Sequence, residues 1–152
     1  MRKILILAGL VIPIALSAQI LVDEDGIYLD KDKNPFSGTY MEYYDNGQVK
    51  TEISLKDGLK DGLVIYYYKD GSRKEQRSFK AGQMDGLWVT YSQSGIKTAE
   101  ARYQDNLKHG KWYIWDEKGV LRYDMTYEKG NKSGKWIMYD DKGNKVAEKE
   151  YK

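Results

Sequence analysis

The sequence predicts an all-β protein: an elongated, twisted antiparallel sheet of about five stacked 24-residue β-hairpin repeats, preceded by an N-terminal hairpin cap. Three observations support this fold class. Glycines recur every 24 residues, large apolar residues form columns between them, and the intervening segments alternate apolar and polar side chains. Tyrosine is abundant, at 14 residues, which suits a half-buried sheet better than a thick core.

The first residues have the composition of an export signal. Arg2 and Lys3 form a charged start, and Ile4–Ala15 is an apolar stretch of signal-peptide length, followed by small residues suitable for cleavage. We therefore expect residues 1–18 to be a signal peptide of a bacterial protein that is periplasmic, outer-envelope or extracellular. The alternative is a retained membrane anchor, because Ile4–Val22 approaches spanning length. The sequence contains no cysteine, which excludes a lipoprotein anchor.

The charge balance gives no sign of a nucleic-acid partner. The whole chain has 25 Lys and Arg against 23 Asp and Glu. Cleavage after residue 18 removes two basic residues and no acidic residue, which leaves 23 of each sign. A neutral chain lacks the basic surplus that holds a phosphate backbone, so we expect no nucleic acid among the partners.

Residues 19–37 precede the repeats and predict a separate hairpin. Two short apolar runs, Ile20–Val22 and Ile27–Leu29, flank the turn sequence Asp23–Gly26. We expect this hairpin to cap the N-terminal end of the repeat array.

The repeat array is predicted over residues 38–152. Its five units are 38–61, 62–85, 86–109, 110–133 and 134–152. A glycine opens each unit and a second glycine follows nine residues later. These structural glycines are Gly38, Gly62, Gly86, Gly110 and Gly134 in the first column, and Gly47, Gly71, Gly95, Gly119 and Gly143 in the second.

Each unit is predicted to be one β-hairpin. A strand of about five residues follows the first glycine, a turn such as Asp45–Gly47 comes next, and a second strand alternates apolar and polar residues. A third column, with Gly58 and Gly82, marks the turn that links one unit to the next. Asn106 occupies this column in unit three, and asparagine also tolerates a positive φ.

Two columns of large residues lie in each first strand. Two residues after the opening glycine, Trp88, Trp112 and Trp136 are expected in a shared interior. A column five residues after the glycine has the opposite parity, so either a bulge turns the chain or both faces carry aromatic side chains. We favour the second interpretation. The candidate binding surface is then on the other face, at Tyr67, Tyr91, Tyr113, Trp115 and Tyr139.

The sequence offers little catalytic or metal chemistry. His109 is the only histidine and lies in a linking turn. Asp30–Asn34 resembles half of a calcium loop, but Pro35 replaces the required glycine. We therefore expect a non-enzymatic protein without catalytic residues, cofactor, metal or small-molecule substrate.

Tandem units of the form G-x-W-x-x-Y-x-x-x-G, with a later Tyr or Phe and then G-x-x-x-G, resemble the bacterial variant of the MORN repeat. Proteins of this type are often named as a YwqK-like antitoxin family. The resemblance covers residues 36–152 and departs from the pattern at Val64 and Asn106. One unit carries it at Gly110, Trp112, Trp115, Gly119, Tyr127, Gly130 and Gly134.

The resemblance implies a sheet of stacked hairpins that serves as a scaffold or binding surface. We expect an exported scaffold that binds a protein partner or an envelope component. Two alternatives remain open: an antitoxin-like protein that neutralises a toxin, and a protein that binds cell-wall glycan or a lipid headgroup through its aromatic columns.

Overall fold

A computed structural model of the protein describes residues 20–152, and the predicted signal peptide lies outside the described residues. This part of the chain forms thirteen strands. They are β1 (Leu21–Val22), β2 (Tyr28–Leu29), β3 (Gly38–Tyr43), β4 (Val49–Lys56), β5 (Leu59–Tyr67), β6 (Arg73–Lys80), β7 (Gln83–Tyr91), β8 (Lys97–Gln104), β9 (Leu107–Lys108), β10 (Gly110–Trp115), β11 (Leu121–Glu128), β12 (Asn131–Tyr139) and β13 (Lys145–Tyr151). Among residues 20–152, no helix has the length and hydrophobicity that a membrane crossing requires.

Strands β3 to β13 form one antiparallel sheet in which neighbours along the chain are neighbours in space. The short strands β9 and β10 follow each other beside β8, separated only by His109. Strands β1 and β2 pair in a small separate sheet. This arrangement confirms the predicted all-β fold of consecutive hairpins.

Two kinds of turn connect the strands. Within unit one, Gly47 N–H donates to the Tyr44 carbonyl (2.9 Å) and Tyr44 N–H donates to the Gln48 carbonyl (2.8 Å). Between units one and two, Asp57 and Gly58 both have positive φ, 51° and 78°, as a two-residue type I′ turn requires.

Asn106 takes the position of a glycine in the equivalent turn of unit three. Its φ is 65°, so it meets the backbone requirement that the sequence predicts for this column. Asparagine and glycine therefore play the same part in these linking turns.

The pairing of β10 with β11 explains how aromatic side chains reach both faces. It is regular from Gly110 opposite Tyr127 to Ile114 opposite Tyr123, but Trp115 then lies opposite Leu121. The extra residue is therefore on β11, and alternation along β10 is preserved. Both faces carry aromatic residues, as the preferred interpretation holds.

The two faces of the main sheet can be distinguished by these residues. We call the face that carries Trp88, Trp112 and Trp136 the inner face, and the face that carries Tyr113 and Trp115 the outer face. Because the sheet is a single layer, most of its aromatic side chains are only half-buried.

The N-terminal segment packs on the inner face of the first two units. Backbone hydrogen bonds join Tyr28 N–H to the Gly58 carbonyl and Gly58 N–H to the Phe36 carbonyl, both at 2.9 Å. A side chain at Gly58 would collide with Ile27 and with the Tyr28 carbonyl oxygen. Glycine is therefore required at this contact by space as well as by φ.

The most enclosed part of the protein lies under this segment. Ile53, Leu55 and Val64 form the buried cluster, with Tyr28 and Phe36 packed against it. Val64 is 1% exposed, although Trp or Tyr is expected in its column. The side chains of the N-terminal segment occupy the space around this smaller residue.

Candidate binding surfaces

A continuous row of aromatic rings runs along the inner face, and we call it the aromatic ladder. Consecutive ring centroids are 4.5 to 6.0 Å apart, and each pair is tilted. Its members are Phe79, Trp88, Tyr103, Trp112, Tyr127, Trp136 and Tyr151. Tilted pairs at these distances are favourable, so the ladder connects units two to five to one another.

The three tryptophans of the ladder are fixed in the same way. Trp88, Trp112 and Trp136 each donate the indole Nε1–H to a backbone carbonyl ten residues earlier, at 3.3, 3.0 and 2.9 Å. A tryptophan held by ring contacts and by its only polar hydrogen is positioned as a structural residue.

Basic side chains cover several rings of the ladder. Lys108 Nζ lies 4.6 Å from the ring centroid of Trp112 and 4.8 Å from that of Tyr127. Lys132 Nζ is placed in the same way, 4.4 Å from Trp136. These cation–π contacts occupy ring faces that a flat ligand would need.

The predicted binding surface lies on the outer face. Tyr67, Tyr91, Tyr113, Trp115 and Tyr139 are all half-buried there. The structure brings Tyr113 and Trp115 together, with ring centroids 5.6 Å apart. The others lie on different hairpins, about 9.6 Å apart at two strand spacings per repeat. They form a spaced row and not one cluster.

The outer face is also rich in paired charges. Lys97 Nζ lies 4.4 Å from the ring centroid of Trp115 and 2.8 Å from a carboxylate oxygen of Glu100. Lys111 Nζ is 2.7 Å from Asp124 Oδ1, and this hydrogen bond raises the pKa of Lys111. The first of these ion pairs lies within β8 and the second joins β10 to β11. Pairs of this kind support solubility and strand register more than ligand binding.

Tyr67 is an outer-face residue whose side chain is held in place by a hydrogen bond. Its hydroxyl donates to the carboxylate of Glu52 at 3.2 Å. Burial raises the pKa of the Tyr67 hydroxyl, and the negative charge of Glu52 raises it further.

A depression with a mainly apolar lining lies on the inner face of units four and five. This apolar groove has a volume of about 390 Å³. The inner-face side chains that line it are Ile114, Tyr123, Met125, Trp136, Met138, Ala147, Lys149 and Tyr151. Ile114, Tyr123 and Met138 remain 40%, 38% and 41% exposed, so an apolar surface is open to solvent here.

A second depression, the basic pocket, lies near units one and two and has a volume of about 240 Å³. It is lined by Tyr44, Lys50, Tyr66, Tyr67, Lys74, Glu75 and Arg77. Glu75 accepts two hydrogen bonds from the Arg77 guanidinium, at 2.7 and 3.0 Å. Within residues 20–152, Lys50 and Lys74 form no ion pair, so the pocket has an excess of positive charge.

Sequence reasoning missed both depressions, although their residues follow the repeat. Tyr66, Glu75 and Arg77 of unit two occupy the same repeat positions as Ile114, Tyr123 and Met125 of unit four. A comparison of these columns could have found the change from charged to apolar side chains.

The described residues hold no group of three or more His, Cys, Asp and Glu side chains placed to bind a metal ion. The Asp30 carboxylate instead accepts hydrogen bonds from the backbone of Asp32 and Asn34, both at 2.9 Å. The bond from Asn34 contributes most to lowering the pKa of Asp30. The resemblance of this segment to a calcium loop is therefore explained by a turn.

Comparison with known families identifies three of the repeats. The family described as the MORN repeat variant matches residues 36–57, 60–81 and 108–129. Each match begins two residues before the opening glycine of unit one, two or four, in the 24-residue register of the glycines. A search of curated proteins found no match.

Proposed function

We propose that this chain, three of whose repeats match the MORN repeat variant family, is an exported, non-enzymatic scaffold that binds a protein partner. Repeats of this family are generally associated with protein or membrane binding. Export is supported by the composition of residues 1–18. A protein partner is supported by the surface of the sheet.

The apolar groove is the observation that carries this proposal. Ile114, Tyr123 and Met138 expose large apolar side chains on neighbouring strands around one depression. Exposed apolar patches with polar surroundings are characteristic of protein interaction sites. The aromatic ladder keeps the strands beneath the groove in register, so a partner would meet a preformed surface.

The test is capture of a partner from an envelope extract by the full chain with a C-terminal tag. We expect a specific protein to be retained and to be lost with the Ile114→Asp/Met138→Asp variant. The matched control is Leu63→Asp, because Leu63 is 39% exposed but lies on the outer face. Retention of no protein by the folded chain would contradict the proposal.

Binding of glycan or lipid headgroups through the aromatic columns stays a prediction. Lysines lie over the ladder rings Trp112 and Trp136, so a stacking sugar would first have to displace them. The antitoxin-like role also stays a prediction, and a toxin recovered as the captured protein would favour it.

A further inference from the structure

We propose that the inner face binds one extended segment of the partner that has acidic residues at one end and apolar residues at the other. The acidic end lies over the basic pocket and the apolar end lies in the apolar groove. This inference rests on the proposed function and specifies the chemistry of the partner.

We call the row of inner-face positions that crosses the strands from Tyr66, Glu75 and Arg77 of the basic pocket to Ile114, Tyr123 and Met125 of the apolar groove the inner lane. The two depressions are connected along this lane. At the positions that Tyr66 and Glu75 hold in unit two, unit three has the small residues Thr90 and Ala99. Ala101 holds the position that Arg77 holds in unit two. These short side chains do not project far from the sheet, so between the basic pocket and the apolar groove there is room for one extended segment to cross unit three.

The basic pocket fits a carboxylate because its positive charge is not balanced from within. Glu75, the acidic residue in its lining, is bound in bidentate fashion to Arg77. Neither Lys50 nor Lys74 has an ion-pair partner among residues 20–152, and Lys74 Nζ lies 5.7 Å from the Tyr68 ring centroid, so both positive charges can attract an incoming acid. Arg77 itself packs between the rings of Tyr66 and Trp88, at 4.8 and 4.7 Å from their centroids, and serves as a fixed wall.

The apolar groove attracts an acid less than the basic pocket does, because Lys149 is the one basic side chain in its lining and its Nζ lies over the Tyr151 ring, 4.9 Å from the centroid. The carboxylate of Glu148 at its rim is bound by Lys135 and Lys145, at 3.2 and 3.0 Å. The open surface consists of Ile114, Tyr123 and Met138, which gain from contact with apolar side chains. The two ends of the lane therefore differ in charge: the basic pocket attracts acidic side chains, and the apolar groove favours apolar side chains.

The distance between the ends sets the length of the segment. The centre of the basic pocket and that of the apolar groove are about five strand spacings apart, or about 24 Å. An extended chain covers about 3.3 Å per residue, so roughly seven residues separate the two contacts. A peptide of about nine residues is then the smallest probe that reaches both.

The probe is a fluorescein-labelled nine-residue peptide with three Glu, a three-residue Gly-Ser-Gly spacer and three Leu, measured by fluorescence anisotropy in both chain directions. We expect one direction to bind the full chain at least ten-fold more tightly than a scrambled peptide of the same composition. We also expect Lys50→Glu/Lys74→Glu to weaken binding at least ten-fold, and to have less than a two-fold effect on a peptide with Gln in place of Glu.

The matched control is Lys56→Glu/Lys80→Glu, which makes the same charge change at exposed lysines outside the pocket lining. Circular dichroism establishes that each variant is folded. Equal binding of the scrambled peptide, or an equal loss in the control variant, would overturn the proposal.

Failure of this inference can be told apart from failure of the scaffold function. If Lys50→Glu/Lys74→Glu/Met138→Asp still captures the partner that the unchanged protein captures, the inner lane is not the binding site, but the scaffold function stands. If the unchanged protein captures no partner, the scaffold function itself fails.

Discussion

Trp112 shows how one side chain serves a sheet that has no second layer. Its ring lies 5.2 Å from Tyr103 and 5.0 Å from Tyr127, and its Nε1–H donates to the carbonyl of Arg102 at 3.0 Å. In a protein with a thick core, a tryptophan contributes to stability mainly because its side chain is fully buried. Here the residue is half-buried and gains stability from its two neighbours along the ladder.

Replacing Trp112 by Ala should lower the free energy of unfolding by about 2–3 kcal/mol, below the range for fully buried tryptophans because the ring is half-exposed. Urea denaturation of the purified protein measures this change. Trp112→Phe, which keeps an aromatic ring, should lose less than half as much. A variant Trp112→Ala with unchanged stability would show that this residue is not part of the structural ladder.

The Asp70 carboxylate makes the stability of the protein depend on pH. The side chain of Ser72, that of Gln93 and the backbone of Ser72 donate hydrogen bonds to the Asp70 carboxylate, which lowers its pKa to about 2. Because the pKa of Asp70 is lower in the folded protein than in the unfolded chain, the ionised carboxylate stabilises the fold above about pH 4. This stabilisation is lost as the pH falls toward 2 and the carboxylate is protonated in the folded protein.

The variant Asp70→Asn should therefore lower the melting temperature at pH 6, and its deficit relative to the unchanged protein should shrink between pH 4 and pH 2. Thermal unfolding followed by circular dichroism across this range measures the difference. Asp141→Asn, a change at an exposed acid in the turn of unit five, is the control. A deficit that stays constant with pH would contradict the linkage.

The linking turns are the elements in which the sequence was least informative. Glycine and asparagine mark only the second residue of each turn, whereas the first residue also has positive φ: Asp57 at 51°, Ala81 at 46°, Asp105 at 49° and Lys129 at 48°. Asp57 and Asp105 are residue types that favour this conformation, whereas Ala81 and Lys129 give no such signal. The conformation is imposed by the type I′ turn, whose twist matches that of the flanking strands.

These turns are also fastened by a side chain from the preceding unit. The Asp61 carboxylate accepts a hydrogen bond from Ala81 N–H at 2.9 Å, and Ser37 Oγ accepts one from Asp57 N–H at 2.8 Å. His109 is at the equivalent position for the turn that contains Lys129, where the described residues provide no such side-chain acceptor.

Replacing His109 by Asp should therefore raise the free energy of unfolding by about 0.5–1 kcal/mol, the usual contribution of one hydrogen bond. Denaturant unfolding of the variant and of His109→Ala separates the gained bond from the loss of the imidazole. A similar stability for both variants would show that no bond to Lys129 N–H forms.

The strand pattern also explains which surfaces the sequence could identify. Alternation along each strand placed Trp88, Trp112 and Trp136 on one face and Tyr113 and Trp115 on the other, and the structure has them there. It could not show where the N-terminal segment packs, because that contact depends on a close approach at Gly58. Nor could it show that lysines extend over the ladder rings, which follows from side-chain direction and not from spacing.

At the scale of the whole molecule, enclosure is unevenly distributed along the array. Thr51, Ile53 and Leu55 of β4 are buried, whereas every residue of β13 except Tyr151 is exposed. In a stack of repeats each unit is stabilised mainly by its neighbours, so local opening can begin where enclosure is least.

We therefore expect hydrogen-bonded amides of β13 to exchange with solvent deuterium at least ten-fold faster than those of β4. Native-state hydrogen exchange followed by NMR measures the rates strand by strand, and the hydrogen-bonded amides of β8 should be intermediate. Equal exchange along the array would show that the whole sheet opens as one unit.

The pairing of neighbouring hairpins at a 24-residue period also limits how such a protein can change in length. Because every unit repeats the same strands, turns and bulge, the loss or gain of one complete unit leaves every later side chain on its original face, while one residue added within a strand moves the following side chains of that strand to the other face. The distance between the basic pocket and the apolar groove can therefore change in steps of one hairpin, about 9.6 Å, without altering either end. A protein of this architecture with one repeat more or fewer would fit a partner segment that is longer or shorter by this distance, with the same basic pocket and the same apolar groove at its ends.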